Sequence, residues 1–251
     1  MRIFFLALFF SFLLPTMAKA QKWEEPTWSY FEDTGPHNWG KYEKFKLCSL
    51  GKNQSPINIF IDDAEKDKNL PVLKFAYQPN QLNFINNGNF IEAEVTGESK
   101  VFYGDDSFTL TKIEFHTPSE HLFQKKPYSM EIELIHKGKE NKMLVVSILV
   151  KRGKMNYGLK EFLNHIPEKS QEKIQVHNRK INPLDFFPPG GGYYTYEGSL
   201  TSPPCTENVR WIILSQFINV SIEQLQNITL VHRISNRPIQ ALNRREYKRK
   251  P

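Results

Sequence analysis

The stretches KIEFHTPSEHLF (residues 112–123) and SMEIELIH (residues 129–136) show a clear strand pattern. In both, charged or polar residues alternate with apolar ones. Successive side chains of a β-strand point to opposite faces, so this period of two predicts a strand in each stretch. The short, turn-forming segment between them indicates that the two strands are neighbours in one sheet.

The charged residues of these two strands fall on matching faces. Lys112, Glu114 and His116 share one face of the first strand, and Glu131 and Glu133 share one face of the second. If those faces meet, the side chains converge into one cluster that holds too much charge for an ordinary core. The alternative is that both faces are simply wet, because charged positions of an antiparallel sheet usually face solvent.

Other segments extend the same fold class. Runs that are rich in β-branched or aromatic residues and bounded by turn formers predict strands at 82–86, 90–95, 107–115, 129–136, 143–151 and 209–215. Short helices are predicted at 158–166 and 221–227, the second with Ser221 as N-cap and Glu223 in its first turn. The sequence therefore predicts one mainly β (α+β) domain, residues 21–251, with a large twisted, mostly antiparallel central sheet and short helices at its margins.

The first twenty residues, MRIFFLALFFSFLLPTMAKA, have the pattern of a signal peptide. Arg2 precedes an apolar run from Ile3 to Pro15, and the small-residue tripeptide Ala18-Lys19-Ala20 that follows predicts cleavage before Gln21. An uncleaved anchor is the alternative, but the run is shorter than the ~20 apolar residues that span a bilayer. We therefore expect an exported, periplasmic or secreted protein with no transmembrane segment in the mature chain.

The charge balance is mildly basic. The full chain has 33 Lys and Arg against 27 Asp and Glu, and loss of Arg2 and Lys19 lowers the formal net charge from +6 to +4. Much of the excess lies in the tail NRREYKRKP, residues 243–251. We interpret this tail as a solvated terminus and expect no nucleic-acid partner. Contact with an acidic glycan or an anionic cell surface stays open.

The chain has two cysteines, Cys48 and Cys205, far apart in sequence. Disulfides persist in exported proteins, so we expect a bridge between them. Two isolated thiols lack the paired C-x-x-C spacing of a zinc site, and such a site is disfavoured here.

Several segments, in order and across the whole mature chain, resemble the α-class carbonic anhydrases. They are WSYFEDTGPHNWG (28–40), NQSPINI (53–59), NFINNGN (83–89), FHTPSEH (115–121), YEGSLTSPPCTENVRW (196–211) and NRPIQALNRR (236–245). The motif TPSEH (117–121) is similar to the corresponding sequence of bacterial members. The resemblance implies the α-carbonic anhydrase fold, CO2 and bicarbonate as substrate and product, and a catalytic zinc ion held by three His.

The three zinc-ligand positions of the family fall on Glu114, His116 and Glu133, so only His116 keeps the family's ligand type. Lys112 and Glu131 stand at the positions that hydrogen-bond the ligand imidazoles in the family. Zinc is thus implied by the resemblance, but a Glu-His-Glu set also suits other divalent ions such as manganese or iron(II). The second possibility is a polar cluster without metal, in which Lys112 offsets the carboxylates.

The resemblance also assigns the rest of the site. Thr201 and Glu120 match the pair that orients the zinc-bound hydroxide, and Asn89 stands where the family has its proton-shuttling His. Further matches are the CO2 pocket (Ile135, Val145, Leu200 and Trp211), two residues that order the water chain (Tyr30 and Asn87), and the disulfide of the exported members (Cys48 and Cys205).

Two functions follow as hypotheses. In the first, the protein is weak or inactive in CO2 hydration and serves as a binding or structural protein, like the carbonic anhydrase-related proteins that lost zinc ligands. In the second, it is an active hydratase that uses a divalent metal held by Glu114, His116 and Glu133.

Overall fold

The computed structural model describes residues 27–177, 180–231 and 234–251. The predicted signal peptide, residues 1–20, lies outside the described residues. The strands of these ranges are β1 (Asn58–Ile59), β2 (Glu65–Lys66), β3 (Lys74–Ala76), β4 (Leu82–Asn86), β5 (Ile91–Val95), β6 (Lys100–Tyr103), β7 (Asp106–His116), β8 (Leu122–Phe123), β9 (Lys126–Pro127), β10 (Met130–Lys137), β11 (Met143–Arg152), β12 (Lys173–Gln175), β13 (Tyr193–Ser199), β14 (Glu207–Leu214), β15 (Ile218–Val220) and β16 (Lys248–Lys250).

The helices are few and short. The α-helices of the described ranges are α1 (Leu47–Leu50), α2 (Tyr157–Leu163) and α3 (Ile222–Thr229). Single 3-10 turns lie at Glu32–Thr34, Trp39–Lys41, Glu43–Phe45, Lys139–Asn141 and Pro183–Phe186. Across the same ranges, no helix has the length and apolar character that crossing a membrane requires.

One large sheet organises the molecule. Its strand order is β12-β4-β5-β7-β10-β11-β14-β13-β16-β2. Three further strands pair beside this path: β6 with β7, β3 with β6, and β15 with β11. Strands β1, β8 and β9 form a small separate sheet. Most pairs in the large sheet are antiparallel, including the central pair of β7 and β10. Parallel pairs join β11 to β14 and to β15, and β16 to β2. The predicted mostly antiparallel sheet with short marginal helices is confirmed.

The predicted elements are present with small changes at their ends. The strand predicted at 82–86 coincides with β4, and the others differ from β5, β7, β10, β11 and β14 by one or two residues. Helix α2 ends at Leu163, three residues before the predicted end. Ser221 caps α3 as predicted, because its hydroxyl accepts from the Gln224 N–H while the Gln224 side chain accepts from the Ser221 N–H.

Both faces of the central strands are buried. On one face Ile132 and Leu134 of β10 pack with Val146 and Ile148 of β11 and with Phe162 of α2. The opposite face carries the charged side chains of β7 and β10, and there Glu114, His116 and Glu133 are at most 3% exposed. The alternative that these faces are exposed to solvent is therefore wrong, and the sheet holds a buried polar cluster.

The basic tail is part of the sheet. Lys248–Lys250 form β16, which pairs with β13 and β2. The Lys248 ammonium lies 3.2 Å from Glu65 Oε1 and 3.5 Å from Asp67 Oδ2. The interpretation of this segment as a solvated terminus is thus corrected for its last residues, because backbone pairing and local acids hold them.

The predicted disulfide is confirmed: Cys48 of α1 is bonded to Cys205, 157 residues later in the loop after β13. Beside it lies Arg237, which is 1% exposed. Its guanidinium donates to the carbonyl oxygens of Cys48 and Ser55 and to Gln54 Oε1. The bridge and this buried guanidinium together fix the N-terminal loops against the end of the chain.

Candidate functional site

Four neighbouring strands place the candidate residues in one row across the sheet. Glu92 of β5 pairs with Glu114 of β7, Glu114 pairs with Glu133 of β10, and Glu133 pairs with Ser147 of β11. His116 lies two residues beyond Glu114 and therefore on the same face. The strand register, set by the apolar residues on the other face, brings the three predicted metal-ligand positions together.

The three side chains converge on a small volume. The Nε2 atom of His116 lies 3.8 Å from Glu114 Oε2 and 4.0 Å from Glu133 Oε2, and one donor atom from each residue falls within 4.8 Å of the others. His116 Nδ1 is 2.5 Å from the Ser235 carbonyl oxygen. A carbonyl can only accept, so Nδ1 carries the proton of this bond and Nε2 faces the two carboxyl groups.

Lys112 belongs to the same cluster. Its ammonium forms an ion pair with Glu114 and lies 3.4 Å from Glu92 Oε2. The side chain of Lys112 is 37% exposed, whereas that of Glu114 is 4% exposed. Lys112 therefore bridges two carboxylates from the edge of the cluster. Glu92 was missed by the sequence reasoning, although the alternation in IEAEV, residues 91–95, could have placed it on this face.

The pKa directions agree with a cluster that balances its own charge. Burial raises the pKa of Glu114, but the Lys112 ammonium and His116 outweigh it, and the net pKa lies below the usual range. Burial and the charges of Glu120, Glu131 and Glu114 hold the pKa of Glu133 well above its usual range. Burial lowers the pKa of His116, but Glu120 and Glu114 outweigh it and raise that pKa to about 9.

These shifts predict a stability that falls as the pH rises. The raised pKa of His116 means that its protonated form stabilises the fold fully below pH ~6.5, and that this contribution is lost as the pH passes through about 9. A shift of this size corresponds to about 3 kcal/mol. Urea unfolding of chelator-treated protein between pH 6.5 and 9.5 should show the midpoint falling steadily.

The control for this pH series is His116→Gln, in which the decline should be much smaller because the titrating imidazole is gone. A midpoint in the unmodified protein that stays flat or rises over the same range would contradict the proposed charge state.

Glu131 has a different role from the one expected. Its carboxylate accepts from His121 Nδ1 at 2.7 Å, from the Ser147 hydroxyl at 2.5 Å and from the backbone N–H groups of Glu120 and His121 at 2.9 and 2.8 Å. Burial raises the pKa of Glu131, but these interactions outweigh it and lower the net pKa. Position 133 carries a carboxyl group here, so Glu131 does not hold a ligand imidazole as the resemblance implies, and these four donors satisfy it instead.

His121 extends that network and was missed by the sequence reasoning. Its Nε2 atom lies 2.7 Å from the Tyr196 hydroxyl, which also donates to Ser55 Oγ at 2.8 Å. The segment FHTPSEH contains this histidine, but only His116 and Glu120 were given roles. The available signal was the position of His121, a second histidine in this segment, directly before strand β8.

Thr201 and Glu120 lie together and are buried, at 3% and 1% exposure. Glu120 Oε1 accepts from the Arg237 backbone N–H at 2.6 Å. Burial raises the pKa of Glu120, against the lowering effects of His116, the Arg237 N–H and the Thr201 hydroxyl. His116 Nδ1 is 3.9 Å from Glu120 Oε1, so this pair borders the cluster.

The four pocket candidates form one apolar group next to the cluster. Ile135 pairs with Val145, and Val145 pairs with Trp211, across β10, β11 and β14. Leu200 packs against the same group and is partly buried, and Trp211 donates from Nε1 to the Ser199 carbonyl. A cleft of about 910 Å³ at Ile57–Glu65 and Ile239–Tyr247 includes none of the candidate site residues. Cavity size therefore does not locate this site.

Aromatic residues cover His116 on the side of Asn89, the position at which the family has its proton-shuttling His. The Phe90 ring centroid lies 5.0 Å from the His116 ring, and Trp28 packs on Phe90 at 6.3 Å. Asn89 is half-buried and donates from Nδ2 to the Trp28 carbonyl at 3.2 Å. Its carboxamide does not titrate near neutral pH, so this position offers no proton relay.

The two residues predicted to order water lie near by. Tyr30 is buried, and its hydroxyl has no hydrogen-bond partner within the described ranges. Burial and the charges of Glu120, Glu114 and Glu133 raise the pKa of Tyr30. Asn87 instead uses its side-chain oxygen to accept from the N–H groups of Asn89 and Phe90 in a turn.

Comparison with known proteins gives consistent matches over the whole described domain. A family profile described as eukaryotic-type carbonic anhydrase matches residues 34–249. A carbonic anhydrase of Neisseria gonorrhoeae is 34% identical over 221 residues, which cover 87% of this chain and 86% of that protein.

Two solved structures have the same fold. The α-carbonic anhydrase from Thermovibrio ammonificans, in complex with the inhibitor sulfanilamide, matches with a TM-score of 0.86 and 34% identity over 90% of this chain and 100% of that chain. A dioscorin complexed with ascorbate matches with a TM-score of 0.83 and 26% identity over 89% and 98%. The predicted resemblance and the predicted fold are both confirmed.

Proposed function

Because the chain belongs to the eukaryotic-type carbonic anhydrase family, we propose that it is a family member with an altered zinc site, weak or inactive in CO2 hydration, that serves as a carbonic anhydrase-related binding or structural protein. The family's substrate, CO2 or bicarbonate, is then turned over poorly or not at all. The proposal concerns Glu114, His116 and Glu133, the positions at which the family holds its metal.

The donor set does not fit a catalytic zinc ion. Three neutral imidazoles leave zinc its full charge, which lowers the pKa of bound water to about 7. Two carboxylates cancel that charge formally. The set is therefore too anionic to leave a bound zinc ion the charge that activates water.

The observation that carries the proposal is the ion pair between Lys112 and Glu114. An unpaired buried carboxylate is strongly destabilising, so it must be ion-paired, hydrogen-bonded or protonated. Here the chain supplies a pairing cation itself. The Glu114 carboxylate is balanced without metal.

A binding role is supported by the scaffold and by the charge. The dioscorin that shares this fold was crystallised with ascorbate, so the fold can hold a small molecule. The N-terminal sequence supports export to a periplasm or the extracellular space, where an acidic glycan or an anionic cell surface is the partner that the basic excess favours. Retention on heparin at physiological salt supports such a partner, and elution in the flow-through counts against it.

A second candidate function has one specific observation in its favour. His116 Nε2 and Glu133 Oε1 are buried and have no hydrogen-bond partner within the described ranges. These atoms could be satisfied by a divalent ion such as manganese or iron(II), held by Glu114, His116 and Glu133. Thr201 and Glu120 would then orient a nucleophile, and the protein would be an active hydratase.

Stopped-flow CO2 hydration separates the two candidates. Protein treated with chelator and then supplied with zinc, cobalt, manganese or iron(II) should show no rate above buffer. His116→Gln is the matched control, because a rate that survives this change does not come from the cluster. A metal-dependent rate that His116→Gln abolishes would refute the proposal and establish the second candidate.

A further inference from the structure

We propose that Lys112 is a tethered counter-cation that excludes divalent metal from the cluster, and that Glu114, His116 and Glu133 form a latent metal site that opens when this charge is removed. The inference rests on the proposed function and names the residue responsible for it. The ion expected is a divalent cation that accepts mixed oxygen and nitrogen donors, such as Mn²⁺ or Zn²⁺.

The position of Lys112 is fixed from two sides. It is ion-paired with Glu114 on β7 and lies 3.4 Å from Glu92 Oε2 on β5. The side chain of Glu92 is 16% exposed and that of Lys112 is 37% exposed. The ammonium can therefore keep part of its hydration while it neutralises a carboxylate that water scarcely reaches. Because the Lys112 ammonium neutralises Glu114, this carboxylate needs no metal ion as its counter-charge.

The rest of the site is already arranged for a cation. The Ser235 carbonyl fixes the His116 ring through Nδ1, and Nε2 is fully buried without a hydrogen-bond partner. That nitrogen faces carboxylate oxygens of Glu114 and Glu133 at 3.8 and 4.0 Å. An unpartnered buried nitrogen aimed at two carboxyl groups is the second observation, independent of the acidic cluster itself, that points to a cation ligand.

Lys112 is the charge that opposes such a ligand. Its ammonium holds one oxygen of Glu114, and the other oxygen of the same carboxylate faces His116. His116 must lose its Nε2 proton to bind a metal, and the buried Arg237 directs its guanidinium to Gln54, Ser55 and Cys48, so Lys112 is the permanent cation in contact with Glu114. Removal of the charge at Lys112 leaves Glu114 free to close on an incoming ion and removes the repulsion between two cations.

The experiment compares Lys112→Gln with Lys112→Arg. The first keeps length and polarity without charge, and the second keeps the charge. Each chelator-treated protein is titrated with Mn²⁺ by electron paramagnetic resonance and with Zn²⁺ by calorimetry. We expect Lys112→Gln to bind one equivalent at least about 100-fold more tightly than the unmodified protein, and Lys112→Arg to resemble the unmodified protein.

The metal should also raise the unfolding temperature of Lys112→Gln and not that of Lys112→Arg. If Lys112→Gln alone does not fold, the variant Lys112→Gln with Glu114→His removes the unpaired carboxylate and should bind Zn²⁺ through two imidazoles and Glu133. The inference is overturned if the folded variants bind no more tightly than the unmodified protein, or if the unmodified protein already binds either ion tightly. Hydration by the unmodified protein is a separate result, which bears on the proposed function.

Discussion

Zinc binding and CO2 hydration should appear together in the triple variant Lys112→Gln, Glu114→His and Glu133→His, with a hydration rate at least about 100-fold above that of the unmodified protein. The two substitutions at the ligand positions provide three neutral imidazoles together with His116. Loss of the Lys112 charge removes the internal cation. Thr201 and Glu120 already lie beside the site, and the apolar group around Trp211 borders it.

The matched control retains Lys112 and carries only Glu114→His and Glu133→His. It should bind zinc more weakly than the triple variant, because the Lys112 ammonium, which then keeps only Glu92 as its partner, lies next to the metal. Both variants should turn over slowly compared with a complete enzyme, since Asn89 cannot relay protons. If the triple variant folds, binds one zinc and shows no hydration, the altered ligands are not the reason for inactivity.

Loss of the disulfide should be the largest change in stability. Replacement of both Cys48 and Cys205 by Ala should lower the free energy of unfolding by about 5 kcal/mol, because the bridge joins residues 157 positions apart and restricts the unfolded chain. Urea unfolding of the double variant against the oxidised protein measures this. Reduced unmodified protein is the control and should show a similar loss. A difference below about 1 kcal/mol would contradict the entropic argument.

The central strands were predictable because their signals are local. In β7 and β10 the alternation of charged and apolar residues continues for whole strands, so a period of two was visible without any knowledge of partners. The parallel pairing of β11 with β14 and the addition of β16 to the sheet were not visible. They depend on contacts between segments far apart in the chain, and a short run such as Lys-Arg-Lys has no strand signal of its own.

The candidate site also contains residues that the sequence could place and residues that it could not. Glu114, His116 and Glu133 could be placed because strand faces and the family resemblance both indicate them. Glu92 could not be assigned to Lys112, because that contact depends on the register between β5 and β7. The donors that satisfy Glu131 come from the turn at Glu120 and His121 and from β11. The alternation of charged and apolar residues predicts strand faces, but it does not predict where the side chains of a turn point.

The most direct test of the account is elemental analysis of folded protein, purified without chelator and without an affinity metal. We expect well under one equivalent of any transition metal, because Lys112 already balances Glu114. About one equivalent of a transition metal, lost in the His116→Gln variant, would contradict it and would show that Glu114, His116 and Glu133 form a working metal site.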